Sequence, residues 1–281
     1  MSQRLFSFLS LFTPVGRAVA ASFIISPKVL SMSGLDASAI GEDGKKIDLD
    51  RMILKPLCGT GTMFVYDSPE YVKDMGTPER FRQVQSDYEK GIVTGKNLSH
   101  PQKAIFLDRD GTINVYKGFL RNIEEFELLP GAAQAVKMIN NSGYLAIVIT
   151  NQPVIARGEV SYAELERIHQ KMETLLGMEG AYIDGLYYCP HHPHRGYPGE
   201  VPELKIDCDC RKPKPGMLLR ASEEYHIDLN NSWMIGDGEN DVLCGRAAGC
   251  KTVKIGEDCG ANLTCDSLYD AVRLILDKEV N

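Results

Sequence analysis

From Lys103 onward, short and almost wholly apolar runs recur, each followed by a stretch whose apolar residues return at helical spacing. KAIFLD (103–108) reads as a buried strand. The Ala, Val, Met and Ile positions after Pro130 predict a helix that stops at Gly143, with proline near its start and glycine past its end. YLAIVIT (144–150) is aliphatic almost throughout, as strands covered on both faces are. Ser161 and Glu164 have capping-box spacing for a helix reaching about Leu176. IDGLYYC (183–189) predicts a third strand, and Pro215 opens a helix ending near His226. SWMIGD (232–237) and KTVKIG (251–256) read as strands, with helices over 240–248 and 267–277. This alternation predicts an α/β fold, a doubly wound and mostly parallel sheet whose ligands lie beyond the carboxyl ends of its strands. The polar residues at those ends are Asp108, Asp110, Thr150, Asn151 and Asp237.

Composition adds limits. A chain of 281 residues with 43% hydrophobic and 25% charged content has ample material for a buried core. Its net charge of −7 gives no reason to expect nucleic acid or a membrane surface as partner. An anionic substrate therefore needs a local basic site. Eight cysteines, some in C-x-H and C-x-C clusters, read as reduced thiols in a reducing, cytoplasmic compartment, part of them on metal. The apolar run 5–12 and the small residues 18–21 imitate a secretory signal, but residues 1–25 are read as an atypical leader or a disordered tail. No stretch approaches the roughly 20 apolar residues of a membrane span. A polar boundary at SHPQ (99–102) separates a first region, 26–98, from a second, 99–281.

FLDRDGTIN (106–114) sets two carboxylates, Asp108 and Asp110, immediately after a strand, and Gly111 lets the backbone turn sharply behind them. One such group can attack an electrophile while its neighbour moves protons. Alone, D-x-D is also a common acidic turn.

Four ordered motifs carry a resemblance. DRDGT (108–112), ITNQ (149–152), CRKPKPG (210–216) and GDGEND (236–241) resemble the motifs of the haloacid-dehalogenase-like phosphohydrolases, over roughly 103 to the end of the chain. DRDGTIN, TNQ with IARG, YYCPHHP and CDCRKP are similar to the D-glycero-D-manno-heptose-1,7-bisphosphate 7-phosphatase branch, to which histidinol-phosphate phosphatases are closely related. That resemblance implies a zinc-binding loop in place of a large cap domain. It implies Mg2+-dependent removal of the 7-phosphate of a small phosphorylated sugar, through an aspartyl-phosphate, in nucleotide-heptose biosynthesis. Asp108 is then the nucleophile and Asp110 the acid and base, while Thr150 and Lys212 stabilise the transferring oxygens. Asp108, Asp237 and the backbone carbonyl of Asp110 would hold magnesium, with Asp241 completing the fourth motif. Tyr116, Lys117, Gly118, Phe119, Asn151, Gln152, Arg157 and Arg211 are expected to grip the substrate. The chain departs from the branch in reading TNQPV (150–154) where TNQSG is common, and Gly238 where some relatives have lysine. Both departures bear on substrate rather than on reaction. Alternatives are a histidinol-phosphate, polynucleotide-end or other phosphomonoester phosphatase, or a non-catalytic zinc-stapled interaction module.

Within YCPHHPHRGYPGEVPELKIDCDCRKP (188–213), Cys189, His191, Cys208 and Cys210 make three thiolates and one imidazole, a closed set that suits structural Zn2+. His192 and His194 compete as ligands and are read as solvated loop histidines. A C-x-x-C at a helix start, which a redox role would require, is absent. The cluster therefore reads as a clasp on the loop that carries Arg211 and Lys212. Cys58, Cys244, Cys250, Cys259 and Cys265 read as ordinary thiols. Region 26–98 resembles the last part of a sugar-phosphate nucleotidyltransferase, especially in DMGTPERF (74–81). The G-x-G-T-R-L-type loop of that family is missing, so the region is expected to be a truncated remnant or an unrelated docking segment.

Overall fold

A computed structural model describes residues 54–57 and 70–280. The chain divides into two compact units, the second of which takes in Pro69–Asn281. Of the first, only a single helical turn, Lys55–Leu57, falls among the described residues. The reading of residues 1–25 as a leader, and that of most of 26–69 as a nucleotidyltransferase remnant, lie outside the described residues.

The second unit is built on a six-stranded sheet, wholly parallel, ordered β3-β2-β1-β4-β5-β6. The strands are β1 (Lys103–Leu107), β2 (Tyr144–Asn151), β3 (Gly185–Cys189), β4 (Trp233–Gly236), β5 (Lys251–Ile255) and β6 (Leu263–Cys265). The helices are α1 (Pro78–Glu89), α2 (Ile92–Gly95), α3 (Ala132–Asn140), α4 (Tyr162–Met178), α5 (Gly216–Tyr225), α6 (Glu239–Ala248) and α7 (Leu268–Val280). Alternate strand residues feed two separate cores. Ile105, Leu107, Val148, Ile235 and Val253 pack with α3, α4 and α7 on one face. Phe106, Ile147, Ile149 and Met234 pack with α5 and α6 on the other. Both faces are covered, which is why the strand sequences read as unbroken aliphatic runs. Among the described residues no cap domain interrupts the sheet, and the segment 190–215 between β3 and α5 stands in its place.

Element boundaries moved little. The helix expected from Pro130 begins at Ala132, because Gly131 at φ 80 turns the chain just before it. Both halves of the Ser161/Glu164 capping box are made. Strand β6 was not anticipated, since three residues paired only to β5 carry too little periodicity to be read.

A boundary was expected at residue 99, and residues 70–98 belong to the same compact unit as the sheet. Lys96 is the reason. Its side chain is only 3% exposed, its Nζ donates to Tyr182 Oη at 2.9 Å, and it lies 3.6 Å from the Asp184 carboxylate. Burial alone would lower the Lys96 ammonium pKa, but Asp184 and Tyr182 together outweigh it and hold it up. Asp184 also accepts from the backbone N–H of Ala146 in β2 at 2.8 Å.

Candidate active site

The carboxyl ends of β1, β2 and β4 converge. Asp108 continues the β1 ladder by donating its N–H to Ile235 O of β4 at 2.9 Å, which places its side chain at the mouth of the sheet. The loop then closes tightly, with Arg109 O accepting from the N–H groups of Thr112, Ile113 and Asn114. Gly111 at φ 86 makes that turn, and a β-carbon there would run into the Asp237 carboxylate. A β-carbon on Gly236 would likewise strike Asp241.

Lys212 Nζ stands 2.6 Å from Asp108 and 2.6 Å from Asp241, and also donates to Ile149 O at the end of β2 at 2.9 Å. Burial would lower this ammonium pKa, but the two carboxylates outweigh it and raise it. Burial pushes the Asp108 carboxyl up to about 7, with Lys212 pulling the other way and Asp241 and Asp110 adding to the rise. Asp237 is raised too, by burial and then by Asp241. Oxygens of Asp108, Asp237 and Asp241 lie within 4.8 Å of one another. Three crowded carboxylates against one ammonium leave uncompensated negative charge in a half-closed site, an all-oxygen donor set that suits a hard divalent cation such as magnesium. Asp241, expected only as the closing acid of its motif, is thus part of the cluster.

The Asp110 carboxylate faces elsewhere. Arg109, fully buried, donates to it from Nε and Nη2 at 2.7 to 3.2 Å. Asn114 donates at 3.0 Å, and Gln152 at 2.9 Å while also reaching Thr150 Oγ1 at 2.9 Å. Gln152, expected to touch substrate, is 2% exposed and bonded to Asp110. Asn151 similarly turns inward: its amide bonds Lys212 O at 3.1 Å and accepts from Lys212 N at 3.0 Å. That two-way bond ties the loop carrying Lys212 to β2.

The Cys/His cluster assembles as its spacing suggests. Cys189 closes β3, and its Sγ lies 3.4 Å from Cys208 and 3.2 Å from Cys210. Cys208 and Cys210 are 3.2 Å apart, and His191 Nδ1 is 3.7 Å from Cys189 and 3.3 Å from Cys210. A tetrahedron with ~2.3 Å metal–sulfur arms has edges of about 3.8 Å, so the cage is of the right size and slightly contracted. All four ligand atoms converge and no disulfide joins the thiols. Its hydrogen bond with Cys189 holds the Cys210 thiol low, at about 5. Arg211 sends Nη1 to His191 O at 3.2 Å, so this charge is fastened to the clasp.

His192 is not the solvated histidine expected from sequence. It is 6% exposed, with Nδ1 3.2 Å from His194 O and Nε2 3.3 Å from Arg157 Nη2. Burial lowers its pKa. Arg157 is stacked on two rings, 4.2 Å from the centre of Phe119 and 4.4 Å from that of Tyr197. Lys205 lies 4.5 Å from the Tyr197 ring. Of the loop expected to grip substrate, Phe119 joins this stack, while Tyr116 is 64% exposed and Lys117 pairs with Glu127 at 3.0 Å. Gly118 takes φ 77 between them. The meeting of Tyr197, Lys205 and His192 is not legible in the sequence, because it depends on how the 190–215 segment folds back on β2.

Comparison with known proteins agrees with this geometry. A family model described as "HAD-hyrolase-like" matches residues 209–263. The chain is 42% identical over 184 residues to the D-glycero-beta-D-manno-heptose-1,7-bisphosphate 7-phosphatase of Pasteurella multocida (strain Pm70), covering 62% of this chain and 97% of that protein. It is 44% identical over 149 residues to the enzyme of that name from Escherichia coli (strain K12), covering 53% of this chain and 76% of that protein. Among solved structures, the D,D-heptose 1.7-bisphosphate phosphatase from B. bronchiseptica, complexed with magnesium and phosphate, matches with a TM-score of 0.56 and 30% identity. That match covers 63% of this chain and 99% of the other.

Proposed function

Because the chain belongs to the D-glycero-beta-D-manno-heptose-1,7-bisphosphate 7-phosphatase family of haloacid-dehalogenase-like hydrolases, we propose that it removes the 7-phosphate of that sugar bisphosphate. The observation that carries this reading is the pair of differently held carboxylates at one strand end: Asp108 against Lys212, and Asp110 in the cradle of Arg109, Asn114 and Gln152. Asp108 attacks phosphorus as the bond to the sugar oxygen breaks, and Asp110 gives that oxygen its proton. Water then attacks the aspartyl-phosphate, Asp110 takes the water's proton and so regains its acid form, and phosphate leaves as the Asp108 carboxylate is restored. Lys212 and Thr150 meet the charge that gathers on the transferring oxygens. Asp108, Asp237, Asp241 and the Asp110 carbonyl are the groups to hold Mg2+. A magnesium ion bound there supplies the charge that lets an anionic nucleophile approach an anionic phosphate.

Cys189, His191, Cys208 and Cys210 hold one structural Zn2+, since a cage of four protein ligands leaves no open position for chemistry. Reduced thiols of this kind suit a cytoplasmic setting. Among the described residues, no helix is long and apolar enough to cross a membrane. Every residue in this mechanism lies beyond Gln102, so residues before Pro69 take no part in the chemistry.

Arg157 and Arg211 form a cationic rim around Tyr197 and the clasp, while the Lys205 ammonium is already paired with Glu200 at 3.3 Å. Such a rim favours a substrate with a second anionic group over histidinol phosphate, whose remainder carries amine and imidazole. Phosphate release from the heptose bisphosphate, with Mg2+ present, should leave heptose 1-phosphate and exceed release from histidinol phosphate by about a hundredfold or more. Turnover of histidinol phosphate alone would overturn the substrate assignment and leave the reaction class standing.

A further inference from the structure

The opposite end of the sheet, where the strands begin, holds a second cavity. Trp233 opens β4, Lys251 opens β5 and Leu263 opens β6, and with Asn262 and Lys278 they line a space of about 350 Å³. A volume of that size suits a small molecule. Its polar wall consists of donors. Trp233 is 5% exposed, yet its indole N–H has no acceptor. Such an unmade buried bond is uncommon in a folded protein and calls for a partner. Lys251 Nζ lies 5.3 Å from the centre of the Trp233 ring, so a cation already flanks the indole. The Asn262 oxygen is taken by Thr252, through its N–H at 2.8 Å and its hydroxyl at 3.0 Å, leaving the Asn262 NH2 group for a ligand. Among the described residues, no carboxylate contributes to the lining.

We propose that this cavity is a second anion site, separate from the catalytic centre, that takes a phosphoryl group. The group accepts hydrogen bonds from the Trp233 indole and the Asn262 amide, and its two negative charges are matched by Lys251 and Lys278. Two ammonium groups favour a dianion over a carboxylate. The phosphoryl group can come from inorganic phosphate, a product of the proposed reaction, or from a sugar phosphate. At about 3.3 Å per residue, β4 sets roughly 13 Å between Trp233 and Asp237, so one ligand cannot serve both ends.

Trp233 is the single tryptophan of the chain, so intrinsic fluorescence reports on this cavity. Inorganic phosphate and glucose 6-phosphate are titrated separately into the full-length zinc-loaded protein without added magnesium, with acetate as control. A saturable Trp233 response is expected with one or both phosphates and not with acetate. Saturation by inorganic phosphate identifies the free ion as sufficient, whereas saturation by glucose 6-phosphate alone assigns the cavity to sugar phosphates. In Lys251→Gln/Lys278→Gln, both exposed substitutions, half-saturation should rise at least tenfold while the rate of phosphate release stays within twofold of wild type. Asp108→Asn should keep the full fluorescence response. The proposal is overturned if phosphate leaves Trp233 fluorescence unchanged, if acetate matches it, if the double variant responds as wild type does, or if Asp108→Asn abolishes the response.

Discussion

At the scale of single residues, the 2.6 Å contact between Lys212 and Asp108 joins the proposed nucleophile to its neutralising charge inside the protein. Asp108→Asn removes the attacking oxygen with little change of volume. It should cut phosphate release on the order of 10⁴-fold or more while circular dichroism stays native; substantial turnover would rule out the covalent route. The raised Asp108 pKa has a pH consequence. A carboxyl titrating near 7 must lose its proton before it can bind a cation, and below that pH metal has to displace the proton. Apparent magnesium affinity should therefore weaken as pH falls from 8 to 6, approaching tenfold per unit below 7, which titration of activity with Mg2+ at fixed pH would measure. Gln152 offers a sharper test. If it orients Asp110, Gln152→Leu should lower kcat about tenfold or more for sugar phosphates, spare an activated aryl phosphate whose leaving group needs no proton, and leave KM nearly unchanged. A raised KM with unchanged kcat would return Gln152 to substrate contact.

At the scale of elements, the clasp and the catalytic loop are one piece of chain. Cys210 is two residues from Lys212, and Arg211 between them bonds back to His191 O. Cys208→Ser should lower zinc content and loosen the segment from His191 to Lys212. Displacing Lys212 by even ~1 Å can cost on the order of a hundredfold in rate. Added magnesium should not restore it, because the two ligand sets share no atom. Elemental analysis beside kinetics decides the matter: a zinc-free variant with full activity would show that the cluster holds nothing in place.

At the scale of the whole molecule, the arm 70–98 belongs with the sheet. Truncation to Pro69 should leave phosphatase activity largely unchanged. Truncation to Asn97 removes Lys96 and leaves the Asp184 carboxylate buried without its cation, a loss of about 3–5 kcal/mol. Urea denaturation of the two truncated forms distinguishes them. Equal stability would mean that the Lys96 contact is incidental. Full-length protein should form no nucleotide-sugar from a sugar 1-phosphate, since the nucleotide-binding opening that such transfer requires is missing from 26–98.

Periodicity and order of motif were enough to read the parallel sheet, its covered faces, and the carboxylates at the strand ends, because buried strands must be aliphatic on both sides and D-x-D-G-T is a local sequence of turns and charges. Cys189, His191, Cys208 and Cys210 were legible for the same reason: ligand type and spacing are written along the chain. Four features were decided only by folding. Gln152 and Asn151 turn inward because Asp110 and the Lys212 backbone lie across from them, at separations of 42 and 61 residues. His192 is buried because the 190–215 segment folds onto Arg157. Residues 70–98 join the sheet because Lys96 finds Asp184, 88 positions on, inside a place that admits no unpaired charge. The donors around Trp233 meet only because β4, β5 and β6 start side by side. Local sequence carries the chemistry of each group, and the partner that limits its use is supplied by distant chain.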